Sequence, residues 1–471
     1  MSQHVFDTEI CVVGAGPAGA AFAMRMASLG HRVLLVERSD IPRPQIGEAL
    51  TPGIWPLLDA LGVVQAIRSA DFLPVREAVI RWAERSPERL SRPLAQAGLT
   101  VDRGRFDLLL QNAARSAGAT IWRRALAGRP RKTASGWTLG IRTDDGIRTV
   151  HADYLADASG RSRVIGSSPA RRLIPTIALQ ACWRGEAEPG KPTHLEAGRF
   201  GWCWGLHLPD GAYRAFVFLD TAVARQSHAT RNTLEKLYRE LLASTHILDG
   251  LGDPRQVSRV TACDATCYSD PEPVTTSSIL LGDASCAIDP LSSSGVQKAL
   301  QSALAGAATV HTLRQAGGDW SAAMTFYRDS QRQTFDRHMQ WSGGYYSGAR
   351  RFARDPFWRI RTRPVTVSES LAPLKLQDAL PRRARLARDA RLLLIPCIVG
   401  NQVARRRALA HPTLPRPVAY LGDTELAPML DTIERYPTLA EAILQWSHDV
   451  SAAKCLEVVH WLNTRGLLKS V

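Results

Sequence analysis

The chain opens on an apolar run, Ile10-Cys11-Val12-Val13, which meets a glycine turn and passes straight into an alanine-rich stretch. That order predicts strand, tight turn and helix. A second apolar run, His31 to Val36, ends at Glu37, and strand–helix–strand units with a long helical passage continue to about Ser168. From Pro169 to Pro273 the pattern changes to alternation, as in Leu195–Leu208 and Tyr213–Leu219, with one helix predicted from Arg231 to Ser244. An apolar strand at Ser277–Gly282 and a helix from about Val296 to Ala316 return the chain to its first style. The pattern predicts an α/β domain over 1–168 and 274–345, interrupted at 169–273 by a mainly antiparallel β-sheet on the substrate side. Residues 346–471 read as a basic, helical C-terminal domain.

Within that last region Leu426, Met429, Leu430 and Ile433, then Leu439, Ala442 and Ile443, then Cys455, Val458, Val459 and Leu462 mark three short amphipathic helices. Gly466-Leu467-Leu468 closes them in a winged-helix-like pattern. The last helix displays Lys454, Glu457 and His460 rather than an arginine cluster, which points to protein docking and away from nucleic acid.

Length alters the picture little: 471 residues call for two or three domains. No apolar run reaches the eighteen or so residues of a membrane span, and the N-terminus enters a strand pattern without a signal-peptide pattern. Cys263 and Cys267 form a CxxxC pair without partner ligands, and the eight cysteines have no regular spacing, so neither a metal site nor a disulfide framework is expected. A reducing, cytoplasmic setting follows. Charge alters it more. Between Trp341 and Pro417 sixteen Arg or Lys face four Asp or Glu, so this stretch carries most of the net charge of +15. Such a stretch attracts an acidic partner.

The glycine turn carries GxGxxG at Gly14, Gly16 and Gly19. In a Rossmann-type unit the first glycine permits the turn, the second lets the backbone approach a pyrophosphate, and the third lets helix and strand pack closely. Glu37, about twenty residues on, is placed to accept hydrogen bonds from ribose hydroxyls. This much leaves NAD and FAD open. Three later segments follow: Val101-Asp-Arg-Gly-Arg-Phe-Asp-Leu-Leu-Leu, leading to Gln111; Asp157-Ala-Ser-Gly-Arg-Ser; and the run from Ile279 through Gly282-Asp283 to Asp289-Pro-Leu-Ser-Ser-Ser-Gly295. Asp283 would end a strand within reach of a ribityl hydroxyl, and Gly295 would begin a helix whose positive end faces a flavin.

In that order these motifs resemble the aromatic-hydroxylase superfamily of flavoproteins, including its halogenase branch, over residues 8–345. The resemblance implies FAD as cofactor, with Glu37, Arg103, Gln111 and Asp283 as contacts beside the glycines. It also implies O2 as co-substrate and NAD(P)H as electron donor. Gly47-Glu-Ala-Leu-Thr-Pro and Trp202-Cys-Trp-Gly-Leu-His-Leu-Pro resemble two motifs of the tryptophan-halogenase branch, although Trp202 and Trp204, two apart on a strand, also suit a core. Those halogenases use a lysine soon after the Gly-Glu loop and a glutamate in the Asp-Pro-Leu run. Here no lysine precedes Lys132, and Ser292 stands at the glutamate position. Arginine in the corresponding stretch, Asp71–Glu77, stays protonated and is a poor replacement.

Halogenation is therefore disfavoured. The chain is most similar to flavoprotein monooxygenases that hydroxylate a peptidyl tryptophan during tryptophylquinone cofactor assembly. That likeness implies a small protein substrate containing tryptophan, acidic if it is to meet the basic C-terminal region. Catalytic side chains stay unassigned. A halogenase or small-molecule hydroxylase of secondary metabolism, and a non-enzymatic flavoprotein or nucleic-acid-binding regulator, remain as alternatives.

Overall fold

The computed structural model describes residues 5–40, 46–84, 86–165, 171–186, 192–226, 231–362 and 380–470. The expected junction at residues 168 and 169 lies outside them. The chain divides into two compact units, Met1–Arg314 with Tyr327–Pro364 and Gln315–Phe326 with Val365–Val471.

In the first unit five strands run parallel in the order Thr120–Trp122, Val33–Val36, Val5–Val13, Gly146–Asp157 and Ser278–Leu280. Ile10, Cys11, Val12, Leu34 and Leu35 are fully buried, as central parallel strands covered on both faces require. The alanine-rich helix Pro17–Ser28 packs against the helix Gly295–Arg314. Its small side chains let backbones approach closely. Both helices begin at the C-terminal ends of the parallel strands, where open α/β sheets place their ligands.

A second sheet holds Thr176–Arg184, Tyr213–Asp220, Gly201–His207 and Thr193–Gly198 as antiparallel neighbours, with Thr261–Asp264 along the outer side of Thr176–Arg184. Two details depart from the sequence pattern. The alternating stretch Leu195–Leu208 is a hairpin that turns before Gly201, where φ is +152° and an added Cβ would lie 1.8 Å from the Phe218 carbonyl oxygen. Moreover, Glu77–Arg81 joins Thr193–Gly198 in parallel and Glu88–Ser91 follows it. These strands come from early in the chain and pair an edge that would otherwise stay open.

Alternation along Tyr213–Asp220 divides the sheet's faces. Tyr213, Ala215 and Val217 pack with Tyr238 and Leu242 of the helix Arg231–Ala243. Phe216 and Phe218 point the other way, into a core with Trp82, Trp202, Tyr346 and Trp358.

In the second unit the helices Ala427–Leu430, Leu439–Trp446 and Ala452–Thr464 bury the apolar positions expected of them, from Leu426 to Leu462, in one core. Leu468–Ser470 pairs with Ala384–Leu386. Arg405, Arg406 and Arg407 do not lie on a helical surface. They belong to the strand Gln402–Ala410, paired with Arg391–Val399 across the two-residue turn Gly400-Asn401, and φ is +59° at Gly400, a conformation suited to short hairpins. Among the described residues no helix is long and apolar enough to cross a membrane.

Candidate functional site

A cavity of about 850 Å³ opens between the C-terminal ends of the parallel strands and the second sheet, wholly within the first unit. Gly14, Gly16, Glu37, Arg103, Asp283 and Gly295 all line it. Gly14 has φ +98°, and a Cβ there would lie 2.5 Å from the Ala158 carbonyl oxygen. Gly19 sits behind the wall, where a Cβ would strike the Gly14 carbonyl oxygen at 1.8 Å, so its part is to let the helix approach the turn. Gly16 differs: an added methyl would meet no atom of the chain within 4 Å and would stand in the open cavity that the residue lines. The same holds for Gly295, the first residue of its helix.

Glu37 is buried. Its Oε2 accepts from the Ala15 N–H at 2.9 Å and its Oε1 from the Ser39 N–H at 2.9 Å, which fixes the carboxylate at the mouth of the glycine turn. Arg103, in the first turn of the helix Arg103–Ser116, is clamped by both Asp107 oxygens at 3.2 Å and donates from Nη1 to the Ile46 carbonyl at 2.8 Å. It thereby holds the loop leading into Gly47-Glu48. Gln111, two turns along, stands outside the cavity lining: its Nε2 donates to the Ala15 carbonyl at 2.8 Å and its Oε1 accepts from Arg123 at 3.2 Å. Asp157 is fully buried and accepts from the Ser159 N–H, the Ser159 hydroxyl and the Ile165 N–H, shaping the loop that carries Ser159 to Ser162 along the wall. Burial raises the Asp157 carboxyl despite those bonds.

Asp283 follows the strand Ser278–Leu280 on a short 3-10 turn. Burial would raise its carboxyl, but Lys298, then Arg161, outweigh it and hold the group below the usual range. Lys298 donates to Asp283 Oδ1 at 2.7 Å and to the Cys286 carbonyl. Motif reading missed this lysine, which stands one position after Gln297 in the first turn of the Gly295–Arg314 helix.

The second sheet contributes a grid. Thr261 lies opposite Gln180, Gln180 opposite Phe216, and Phe216 opposite Trp204. One step along, Arg214 shares the face of Phe216 and Phe218. All of these residues line the cavity. Trp204 stacks on Phe216 with centroids 5.4 Å apart. Trp202 is core: it stacks on Phe218 at 3.8 Å and donates to the Tyr346 hydroxyl at 3.2 Å. Arg214 Nε lies 2.9 Å from Glu48 Oε1, and Glu48 Oε2 accepts from the Gly47 N–H. Burial raises the Glu48 carboxyl against the opposing pull of Arg214 and Arg103. A signal for Arg214 existed: it is the one basic residue on a strand face that continues with Phe216 and Phe218.

Ser292 does not line the cavity. Its hydroxyl donates to the Asp289 carbonyl at 3.1 Å and accepts from the Ser294 N–H at 3.3 Å, inside its own loop.

A family profile described as an FAD binding domain matches residues 7–316, well over half of the chain. The chain belongs to this FAD-binding family. It is 29% identical to tryptophan 2-halogenase of Chondromyces crocatus over 341 residues, which cover 68% of this chain and 64% of that enzyme. The chain thus spans less than two thirds of that relative's length. Among solved structures it is similar to the flavin-dependent halogenase CmlS, with TM-score 0.78 and 22% identity over 98% of this chain and 96% of that one. It is also similar to QhpG, a peptidyl tryptophan dihydroxylase essential for tryptophylquinone cofactor biogenesis, with TM-score 0.69 and 24% identity over 98% and 100%. Both structures speak to the fold, which is the mixed α/β flavoprotein fold expected from the motifs. The residues present fit FAD. The open cradle at Gly16 and Gly295, the fixed Glu37 carboxylate and the ionised Asp283 are the donors, acceptors and free space that a dinucleotide with a flavin ring needs.

Proposed function

We propose that the chain is an FAD-dependent monooxygenase that hydroxylates an aromatic ring, the indole of a tryptophan carried by a small acidic polypeptide, as in tryptophylquinone formation. When bound, FAD reduced by NAD(P)H would supply the activation of O2 that ring hydroxylation needs. The chain's own residues bind and orient. Gly14 and Gly16 leave room for the pyrophosphate, Glu37 accepts from ribose, and Arg103 holds the Gly47 loop. Gln111 braces the glycine turn through Ala15. Asp283 would accept from the ribityl chain, and the N–H groups following Gly295 would supply donors to the flavin. Trp204, with Phe216 and Phe218 packed behind it, offers an apolar wall against which an aromatic substrate can lie with water excluded.

The observation that carries oxygenation over halogenation is the cavity lining. Among the described residues no lysine lines it, Lys298 is engaged by Asp283, and Ser292 is tied to its own loop. The likeness to QhpG supports a peptidyl substrate. The acidic character of the partner is supported by a free basic face in the second unit. Arg383 and Arg385 alternate with buried Ala384 and half-buried Leu386, and Arg385 lies across from Lys469. A second reading, halogenation of a free indole, is favoured by the sequence similarity to tryptophan 2-halogenase. One experiment decides between them. Reduced holoenzyme, O2 and a tryptophan-containing polypeptide in excess bromide should yield products heavier by oxygen only. Brominated product would overturn the proposal.

A further inference from the structure

The cavity face of the second sheet has a polar corner that an aromatic ring alone does not use. Gln180 Oε1 accepts from Arg214 Nη1 at 3.1 Å, and Gln180 Nε2 donates to the Thr261 hydroxyl. Arg214 Nε stands 2.9 Å from Glu48 Oε1, with side chains only 11% and 4% exposed. The corner therefore holds a guanidinium whose charge is already balanced, next to the aromatic wall of Phe216 and Trp204 in the same register. A buried, neutralised pair of this kind is stable only while both partners remain, yet it still presents N–H donors to the cavity it lines.

We propose that Arg214, set in place by Gln180 and Glu48, recognises a neutral carbonyl oxygen attached to the aromatic substrate, so that the preferred substrate class is an amide-linked aromatic residue rather than a free amino acid. The inference rests on the aromatic-substrate reading above. A carbonyl oxygen can accept from the guanidinium without disturbing the ion pair. A substrate carboxylate would compete with Glu48 for the same cation and bring a second anion beside a carboxyl that burial already disfavours as an anion. A bare indole would leave the donors unmatched.

The test is a binding titration of FAD-loaded protein, followed by the flavin absorbance, with 3-methylindole, N-acetyltryptophan and N-acetyltryptophanamide. The amide is expected to bind about tenfold or more tighter than the other two, the range of a hydrogen bond to a charged group. Arg214→Met together with Glu48→Gln removes both charges at once. It should bring the three probes within about twofold of one another, with the largest loss of affinity for the amide. Arg214→Lys, which keeps the charge against Glu48 but loses the fork, should shrink the preference by itself and serves if the double variant does not fold. Equal affinities in the unaltered protein, tighter binding of the carboxylate, or a preference that survives these substitutions would overturn the proposal. Failure of all three probes to bind would overturn it by removing the aromatic reading on which it stands, an outcome distinct from loss of discrimination.

Discussion

Lys298 Nζ lies 2.7 Å from Asp283 Oδ1, and the two side chains meet water very differently: Lys298 is 1% exposed, whereas Asp283 keeps 40% of its surface open to the cavity. The cation behind the wall thus holds an anion on the wall.

Asp283→Asn strands the buried lysine. Breaking a buried pair costs roughly 3–5 kcal/mol, and the half-open carboxylate places this case at or below the lower end because solvent screens it. The folded-state carboxyl titrates below its unfolded value. Its contribution is therefore complete above about pH 4, the unfolded range, and fades as pH falls through the lower folded value. Denaturant titrations of the FAD-free protein should show a constant stability gap between wild type and variant from neutral pH down to about 5, narrowing below about 4. A gap that persists undiminished at pH 3 would contradict the pairing. FAD retention should fall as well, since an acceptor on the cavity wall is weakened.

The two cavity-lining glycines of the first turn should fail in opposite ways. Gly16→Ala meets no neighbour in the chain, so the FAD-free protein should melt as wild type does. FAD affinity should nevertheless fall by roughly 1–3 kcal/mol, the cost of an over-packed contact, or about 5- to 150-fold. Gly14→Ala faces a φ of +98° and a carbonyl oxygen at 2.5 Å, each costing roughly 1–3 kcal/mol. Its FAD-free form should itself melt early. Calorimetry of both proteins stripped of flavin, beside a flavin titration, separates the two. Matching melting temperatures for Gly14→Ala and wild type would refute the strain argument.

Much of the nucleotide half of the cavity was legible because it is local. The glycine turn, the helix after it and Glu37 sit within one strand–helix–strand unit, whose geometry sets their spacing. Gly295 and Asp283 follow the same logic after the Ser278–Leu280 strand. Gln111 was found by motif, yet it reaches the site only through the Ala15 carbonyl, a contact that depends on how the Arg103–Ser116 helix is docked. The substrate half was not legible, because it is a matter of register. Thr261, Gln180, Phe216 and Trp204 come from four strands, and Arg214 meets Glu48 from a loop far earlier in the chain. Trp202 and Trp204 show the limit well: two residues apart on one face, one stacks in the core and the other lines the cavity. The Arg391–Ala410 hairpin has a local signal, Gly400-Asn401 between two apolar-containing runs, but its three consecutive arginines break the alternation that marks a strand.

The arginines of the second unit fall into two groups. Arg405 lies 3.0 Å from Asp319, Arg406 3.7 Å from Glu425 and Arg407 3.0 Å from Asp431, so the three consecutive arginines are each answered within the second unit. Their fields largely cancel at a distance. Arg385 and Lys469 lie across from each other, exposed, on a two-stranded ladder whose Ala384, Leu386 and Leu468 pack into the core, and Arg383 is exposed just before it, with Arg388 and Arg391 close in sequence. Steering of an acidic polypeptide depends on such uncancelled charge and weakens as salt screens it, over a Debye length of about 8 Å at physiological strength. Replacing Arg383, Arg385 and Lys469 by glutamate should slow association with an acidic tryptophan-containing polypeptide by about tenfold or more at low salt. The difference should close as salt approaches about 1 M, where the screening length is near 3 Å. Replacing Arg405, Arg406 and Arg407 by alanine should change that rate far less, at a cost of no more than about 1 kcal/mol of stability for each exposed pair. Stopped-flow association rates across a salt series measure both. Equal slowing by the two triple variants would show that total charge, not the free face of the Ala384–Leu386 ladder, governs recruitment.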